Sequence, residues 1–162
     1  MCIRDRFNAL ASLDAVDDAA VLDLFGGSGA LGIEALSRGA RHATIVDSDR
    51  SARAVIEANL TATGFAAAAT VVGGDALAHL ARTADRYDLV LLDPPYAFAD
   101  WPGLLHAVTE RLAEDALVVI ESRDAVAVPA PLGIIREKRY GSTVVTFAHL
   151  PTTASPQAGD SA

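Results

Sequence analysis

The apolar run Val21-Leu22-Asp23-Leu24-Phe25 breaks off at Gly26-Gly27-Ser28-Gly29, and a helix-patterned stretch opens at Ala30. A short apolar run that ends in glycines and leads into a helix predicts a buried parallel strand, a tight turn and a helix N-terminus. No other feature constrains the fold as much, because a parallel strand is covered by helices on both faces. The glycines can take φ > 0 and let a ligand come close to the backbone. The helix start offers free N–H groups and partial positive charge, which suit a carboxylate or a phosphate. The spacing Gly27-x-Gly29-x-x-Gly32 fits a dinucleotide fingerprint, and it also fits a plain structural turn.

The rest of the chain repeats the pattern. Ala20–Phe25, Ala43–Val46, Ala69–Val72, Tyr87–Leu92 and Leu117–Glu121 read as strands, and Ala30–Arg38, Ser51–Thr63, Ala76–Ala84 and Trp101–Leu112 as the helices between them. Gly39 and Gly64 stand where a helix C-cap is expected. Ala54, Val55, Ala58 and Ala62 are the expected apolar face of the second of these helices. Tyr87–Leu92 is apolar nearly throughout and is expected at the sheet centre. Ile134–Tyr140 and Thr143–Leu150 read as a hairpin across Gly141-Ser142. Phe7–Leu10 has the look of a helix tail and Met1–Arg6 of no element, so the natural protein is expected to begin further upstream. Asp124–Gly133 reads as a connection and Pro151–Ala162 as a disordered tail. The expected architecture is α/β, with a doubly wound, mostly parallel sheet, an added antiparallel strand and one domain spanning residues 7–150.

Composition narrows the function classes. Thirteen Lys and Arg against 21 Asp and Glu give a net charge of −8, which argues against a broad basic face for nucleic acid while leaving room for a local patch. A single cysteine, Cys2, suits a reducing compartment. His42, His79, His106 and His149 are scattered without metal-ligand spacing, so no metal is expected. No apolar run is long enough for a membrane helix and no signal peptide is seen, so a cytoplasmic protein, monomeric and without a membrane partner, is expected.

Ligands of such sheets bind beyond the carboxyl ends of the strands. Four of these ends carry distinctive residues: Asp23–Gly29, Asp47, Asp75 and Asp93–Tyr96. Asp47 stands about 20 residues beyond the glycines, where a carboxylate can accept from two ribose hydroxyls. Asp75 suits either an adenine amino group or the cap of the helix beginning at Ala76. Asp23 can orient the turn through backbone N–H groups or approach a ligand ammonium group, and Asp49 reads as a helix N-cap. Asp93-Pro94-Pro95-Tyr96 is the most specific element. Its prolines stiffen the loop and remove two donors. Asp93 and the Pro94 carbonyl can then hold one planar NH₂ group, while Tyr96 offers a face for a base to stack on.

Asp93-Pro94-Pro95-Tyr96 resembles the motif of amino-group methyltransferases that use S-adenosylmethionine. The stretch from Leu22 to Ala40, Asn59, Glu121-Ser122 and the hairpin through Tyr140-Gly141 resemble the bacterial 16S ribosomal RNA (guanine-N2)-methyltransferase family, over about Phe7 to Leu150. The resemblance implies a seven-stranded, Rossmann-like class I methyltransferase sheet with a reversed last strand. It implies S-adenosylmethionine lying over Asp23, Phe25, Gly26, Gly27, Ser28 and Gly29, with its ribose at Asp47 and Ser48 and its adenine at Asp75 and Ala76. Asp93, Pro94, Pro95 and Tyr96 would carry catalysis on the exocyclic amine of a guanine. The partner would be small-subunit ribosomal RNA or the small ribosomal particle. Family members carry a partly basic segment ahead of the position of Phe7, which this sequence lacks, and many have Glu where Asp47 stands. Three other readings share some of these features: a nicotinamide-dependent oxidoreductase, a DNA amino-group methyltransferase, and a nucleoside-binding domain without catalysis.

Overall fold

The computed structural model describes residues 1–153; the tail expected beyond them lies outside the described residues. The chain opens with helix α1 (Ile3–Ser12) and strand β1 (Ala20–Asp23), then alternates α2 (Ala30–Ser37), β2 (His42–Asp47), α3 (Arg50–Thr63), β3 (Ala69–Gly73), α4 (Ala76–Arg82), β4 (Tyr87–Leu92), α5 (Trp101–Thr109) and β5 (Leu112–Ser122). It closes with β6 (Gly133–Tyr140) and β7 (Thr143–His149). The seven strands form one sheet in the order β3-β2-β1-β4-β5-β7-β6. β1 to β5 pair in parallel, and β7 runs antiparallel to both β5 and β6. The expected doubly wound sheet with a reversed last strand is therefore present. Its order reverses between β1 and β4, so the carboxyl ends of these two strands border a crevice.

The apolar runs explain the layering. Alternate residues of a strand face opposite sides. Leu22, Val90, Leu92, Val118 and Ile120 pack with Leu80 of α4 and Leu104, Leu105 and Val108 of α5. Val21, Ile45, Leu89, Leu91, Val119 and Phe147 pack on the other face with Phe7 and Leu10 of α1, Ala35 and Leu36 of α2, and Ile56 and Leu60 of α3. Burying each large aliphatic side chain contributes about 1.5–3 kcal/mol, which is why strands apolar on both faces lie at the centre.

Three expectations are corrected. Ala54, Val55, Ala58 and Ala62 face solvent, and α3 buries Ile56 and Leu60 instead. Two large side chains at i and i+4 remove more apolar surface than three alanines and a valine, and they fix how the helix is rotated. Leu112 is not the end of a helix but the start of β5, paired with Tyr87; the register shifts before Leu89 pairs with Leu117, in the segment where Asp115 takes φ +58°. Local apolar spacing cannot see that pairing. Ile3–Arg6 belong to α1 rather than to no element, and Arg6 is buried.

Candidate functional site

The glycine turn is built as its sequence requires. Gly27 and Gly29 lie at φ +57° and +82°, where side chains are strained, and Gly29 is the N-cap of α2. Gly26 donates its N–H to Val46 O at 2.9 Å, which ties the turn to β2. A Cβ on Gly26 would stand 2.5 Å from the Ile45 side chain, whereas one on Gly27 would meet nothing within 4 Å. The backbone at Gly27 is therefore open to a close approach from outside. Asn59 of α3 supports the turn from the side, its Nδ2 donating to Ser28 O at 2.9 Å.

The acidic strand ends gather around this turn. Asp47 accepts from Gly27 N–H at 2.9 Å through one oxygen and from Asp49 N–H at 2.8 Å through the other. Arg53 donates to the carbonyls of Asp47 and Ser48, both at 3.0 Å, and so fixes the loop that presents Asp47. Asp49 caps α3 through Ser51, as expected. Asp75 caps α4 by accepting from Ala78 N–H at 3.1 Å, with Ala76 buried behind it.

Asp23 is the most unusual group of the set. It is fully buried, and one oxygen accepts from Gly32 N–H at 3.3 Å, so the carboxyl binds α2 to the end of β1. Its other oxygen, Oδ1, is buried without a hydrogen-bond partner among the described residues. Burial raises its pKa to about 7, against the lowering effect of the Gly32 and Phe25 amides, and the charges of Asp93 and Asp47 add to the rise.

Beyond β4 the chain turns away into a second cluster. Asp93, Pro94, Pro95 and Tyr96 line a cavity of about 460 Å³, closed by Phe98 and Trp101 on one side and by the segment from Glu121 to Ala127 on the other. The Asp93 pKa is raised, first by burial and then by the charge of Glu121. Tyr96 is 68% exposed, and its Oη lies 3.5 Å from Ser142 Oγ and 3.4 Å from Thr143 Oγ1 at the hairpin turn. The glycine turn is not among the cavity's lining residues. Phe25, just before that turn, stacks edge-on against Phe98 at 5.7 Å between ring centroids, and Phe98 against Trp101 at 5.2 Å. This aromatic row joins the turn to the cavity.

Sequence reasoning missed Phe98 and Trp101 as lining residues. The signal was there, two aromatics directly after Asp93–Tyr96, but Trp101 was assigned only to the helix it begins. The charge balance left room for a local basic patch. β6 is an exposed edge strand carrying Arg136, Lys138 and Arg139, and Arg139 donates to the carbonyl of Arg123 beside the cavity. Among the described residues no group of His, Cys, Asp or Glu is placed to hold a metal ion, and no helix is long and apolar enough to cross a membrane.

The chain is similar to known proteins. The family model described as conserved hypothetical protein 95 matches residues 3–149. Ribosomal RNA small subunit methyltransferase D of Escherichia coli (strain K12) is 38% identical over an alignment of 140 residues that covers 83% of this chain and 69% of that protein. The solved structure of yhhF from Escherichia coli superposes with a TM-score of 0.83 at 34% identity, covering 92% of this chain and 84% of that one. A more distant structure, SMU.776 complexed with SAH, shares the fold with a TM-score of 0.75 at 17% identity, over 92% of this chain and 50% of that one. With the family model spanning nearly all the described residues and the turn, the acidic strand ends and the cavity all in place, the chain belongs to the family of conserved hypothetical protein 95, that of ribosomal RNA small subunit methyltransferase D.

Proposed function

We propose that this chain methylates the exocyclic N2 amine of a guanine in small-subunit ribosomal RNA, using S-adenosylmethionine. The observation that carries the reading is the position of Asp93-Pro94-Pro95-Tyr96. It ends the strand beside the glycine turn and lines a cavity of about 460 Å³, within the range of small-molecule pockets and ample for one base.

The residues present fit the cofactor. The open backbone at Gly27 is what a ligand would meet, and the partnerless Asp23 Oδ1 buried beneath the turn is a negative group that would attract an ammonium from below. Each Asp47 oxygen already accepts one amide N–H and keeps a second lone pair for a ribose hydroxyl. Asp23, Phe25, Gly26, Gly27, Ser28 and Gly29 hold the cofactor along the turn, Asp47 and Ser48 its ribose, and Asp75 and Ala76 its adenine. When bound, S-adenosylmethionine supplies an electrophilic methyl group on a sulfonium.

Asp93 and the carbonyl of Pro94 accept the two N–H bonds of the target amine and aim its lone pair toward the glycine turn. The paired prolines keep these acceptors from adapting to other geometries. Tyr96 stacks on the base from its exposed position. The partly desolvated Asp93 carboxylate faces the nitrogen where positive charge develops, so positioning and electrostatics supply the acceleration. Arg123, which lines the cavity, and Arg139, which donates to its carbonyl, are placed to meet the RNA backbone. The catalytic domain, expected over residues 7–150, takes in α1 from Ile3 as well, and acts as a monomer in the cytoplasm.

Titration calorimetry with S-adenosylmethionine, and with NAD as control, tests the cofactor. Incubation with unmodified small-subunit RNA and small ribosomal particles, followed by nucleoside analysis, tests the product. Binding of the first ligand alone and formation of N2-methylguanosine are expected. Asp93→Ala should abolish turnover with cofactor affinity nearly unchanged. Binding of NAD alone, or near-full activity in Asp93→Ala, refutes the reading.

A further inference from the structure

The cavity holds a second carboxylate to which the mechanism above gives no role. β4 and β5 pair in parallel with Leu92 opposite Ile120. One step further along stand Asp93, just past the end of β4, and Glu121, still within β5, so they lie side by side at the inter-strand spacing of about 4.8 Å. Both line the cavity. The Glu121 side chain is 22% exposed, and one of its oxygens, Oε2, is held by Arg6 of α1. Its other oxygen, Oε1, accepts no hydrogen bond among the described residues. The Glu121 charge contributes to the raised pKa of Asp93, which places the two groups within electrostatic reach.

Two neighbouring acceptors match one base better than the others. In guanine the amine at C2 is flanked by the ring N1–H, so two donors stand next to each other on one edge. In adenine and cytosine the ring nitrogen next to the amine has a lone pair and no hydrogen. A carboxylate beside Asp93 attracts the first arrangement and repels the other two. Resting on the reading above, we propose that Glu121 determines base specificity: Oε1 accepts the guanine N1–H while Asp93 holds the amine. Adenine or cytosine in the same place sets a lone pair against a half-buried carboxylate, a penalty that selects by repulsion as much as by attraction. The ion pair with Arg6 engages Oε2 and not Oε1, and Glu121 lines the cavity.

The test compares the wild type with Glu121→Gln and Arg6→Met. Substrates are small ribosomal particles reconstituted from unmodified transcripts carrying either guanine or adenine at the position that the wild type methylates. Rates at each base and S-adenosylmethionine affinity are measured for each variant. In Glu121→Gln the guanine rate should fall about 10-fold or more, the scale of one specific base contact. The guanine-to-adenine preference should fall with it and cofactor affinity stay within about twofold. Arg6→Met, which removes the ion pair and keeps the carboxylate, should leave the preference unchanged. A Glu121→Gln variant within about twofold of the wild type on guanine overturns the inference, as does an equal loss of preference in Arg6→Met. Those outcomes leave the methyltransferase reading intact. Failure of the wild type itself to form N2-methylguanosine refutes that reading first.

Discussion

Replacing Asp23 with Asn should reverse its effect on stability between acid and alkaline pH. The carboxyl is fully buried, with one oxygen on Gly32 N–H and the other without a partner. In the folded chain its pKa is about 7, against an ordinary 3.8. Below pH 3.8 the group is protonated in both states and costs nothing. Between about pH 4 and pH 7 the unfolded chain releases this proton while the folded chain keeps it, so stability falls as pH rises. Above pH 7 both states are ionised and the loss is complete. At 1.36 kcal/mol per pH unit, the gap corresponds to about 4 kcal/mol, a large share of the 5–15 kcal/mol that holds a domain folded. Asn keeps the shape and cannot ionise, but it places an NH₂ where Oδ1 was, at a cost of about 1–3 kcal/mol if unpaired. Asp23→Asn should therefore be less stable than the wild type at pH 4 and more stable at pH 8. Guanidinium unfolding followed by circular dichroism across that range measures the difference, and subtracting the two curves removes the other titrating groups. A stability difference that does not change with pH would refute the reasoning. An ammonium group bound over the turn would favour the ionised form of the buried carboxyl, so S-adenosylmethionine should release protons on binding below pH 7, and calorimetry in buffers of different ionisation enthalpy reads that release.

Three more outcomes follow from the same geometry. Gly29→Ala, at φ +82° with its new Cβ 3.2 Å from Ile56, should cost about 1–2 kcal/mol in chemical unfolding. Its cofactor affinity should fall as well, because the turn must shift; unchanged values on both measures would contradict the assignment of the turn. Asp47→Ala removes the acceptor shared by the Gly27 and Asp49 amides and by the ribose, so calorimetry should show at least a tenfold loss of S-adenosylmethionine affinity, about 1.4 kcal/mol. Asp100→Ala removes the cap that accepts from Gly103 N–H at 3.1 Å at the start of α5, and should lower stability by about 1 kcal/mol in denaturant titration.

Much of the chain could be read locally because its signals are local. Tyr87–Leu92 is apolar and buried on both faces apart from Asp88. Gly64 stops α3 in a left-handed conformation, and Asp49 and Asp75 cap the helices that they precede. A cap, a stop or a continuous apolar run depends on residues within one turn of each other, so its chemistry is complete within a short window of sequence. The rotation of α3 was misread for the opposite reason: which side of a helix is buried is decided by the sheet beneath it, and Ile56 and Leu60 outweigh a more numerous row of small residues there.

The candidate site divides in the same way. The residue types at the strand ends already specified a glycine turn, acceptor carboxylates and a rigid Asp-Pro-Pro-Tyr loop, because each is defined by its own side chains and backbone freedom. Tertiary structure decided which groups became neighbours. The strand order put β4 beside β1, and so placed Asp93 next to the glycine turn. Parallel pairing of β4 with β5 set Glu121 level with Asp93 across more than 25 positions of sequence. Packing of α2 on β1 buried Asp23 and raised its pKa. The hairpin of β6 and β7 delivered Ser142 and Thr143 to Tyr96. Proximity and desolvation are properties of the assembled sheet: they arise from pairings between distant strands, and no local pattern of residues encodes them.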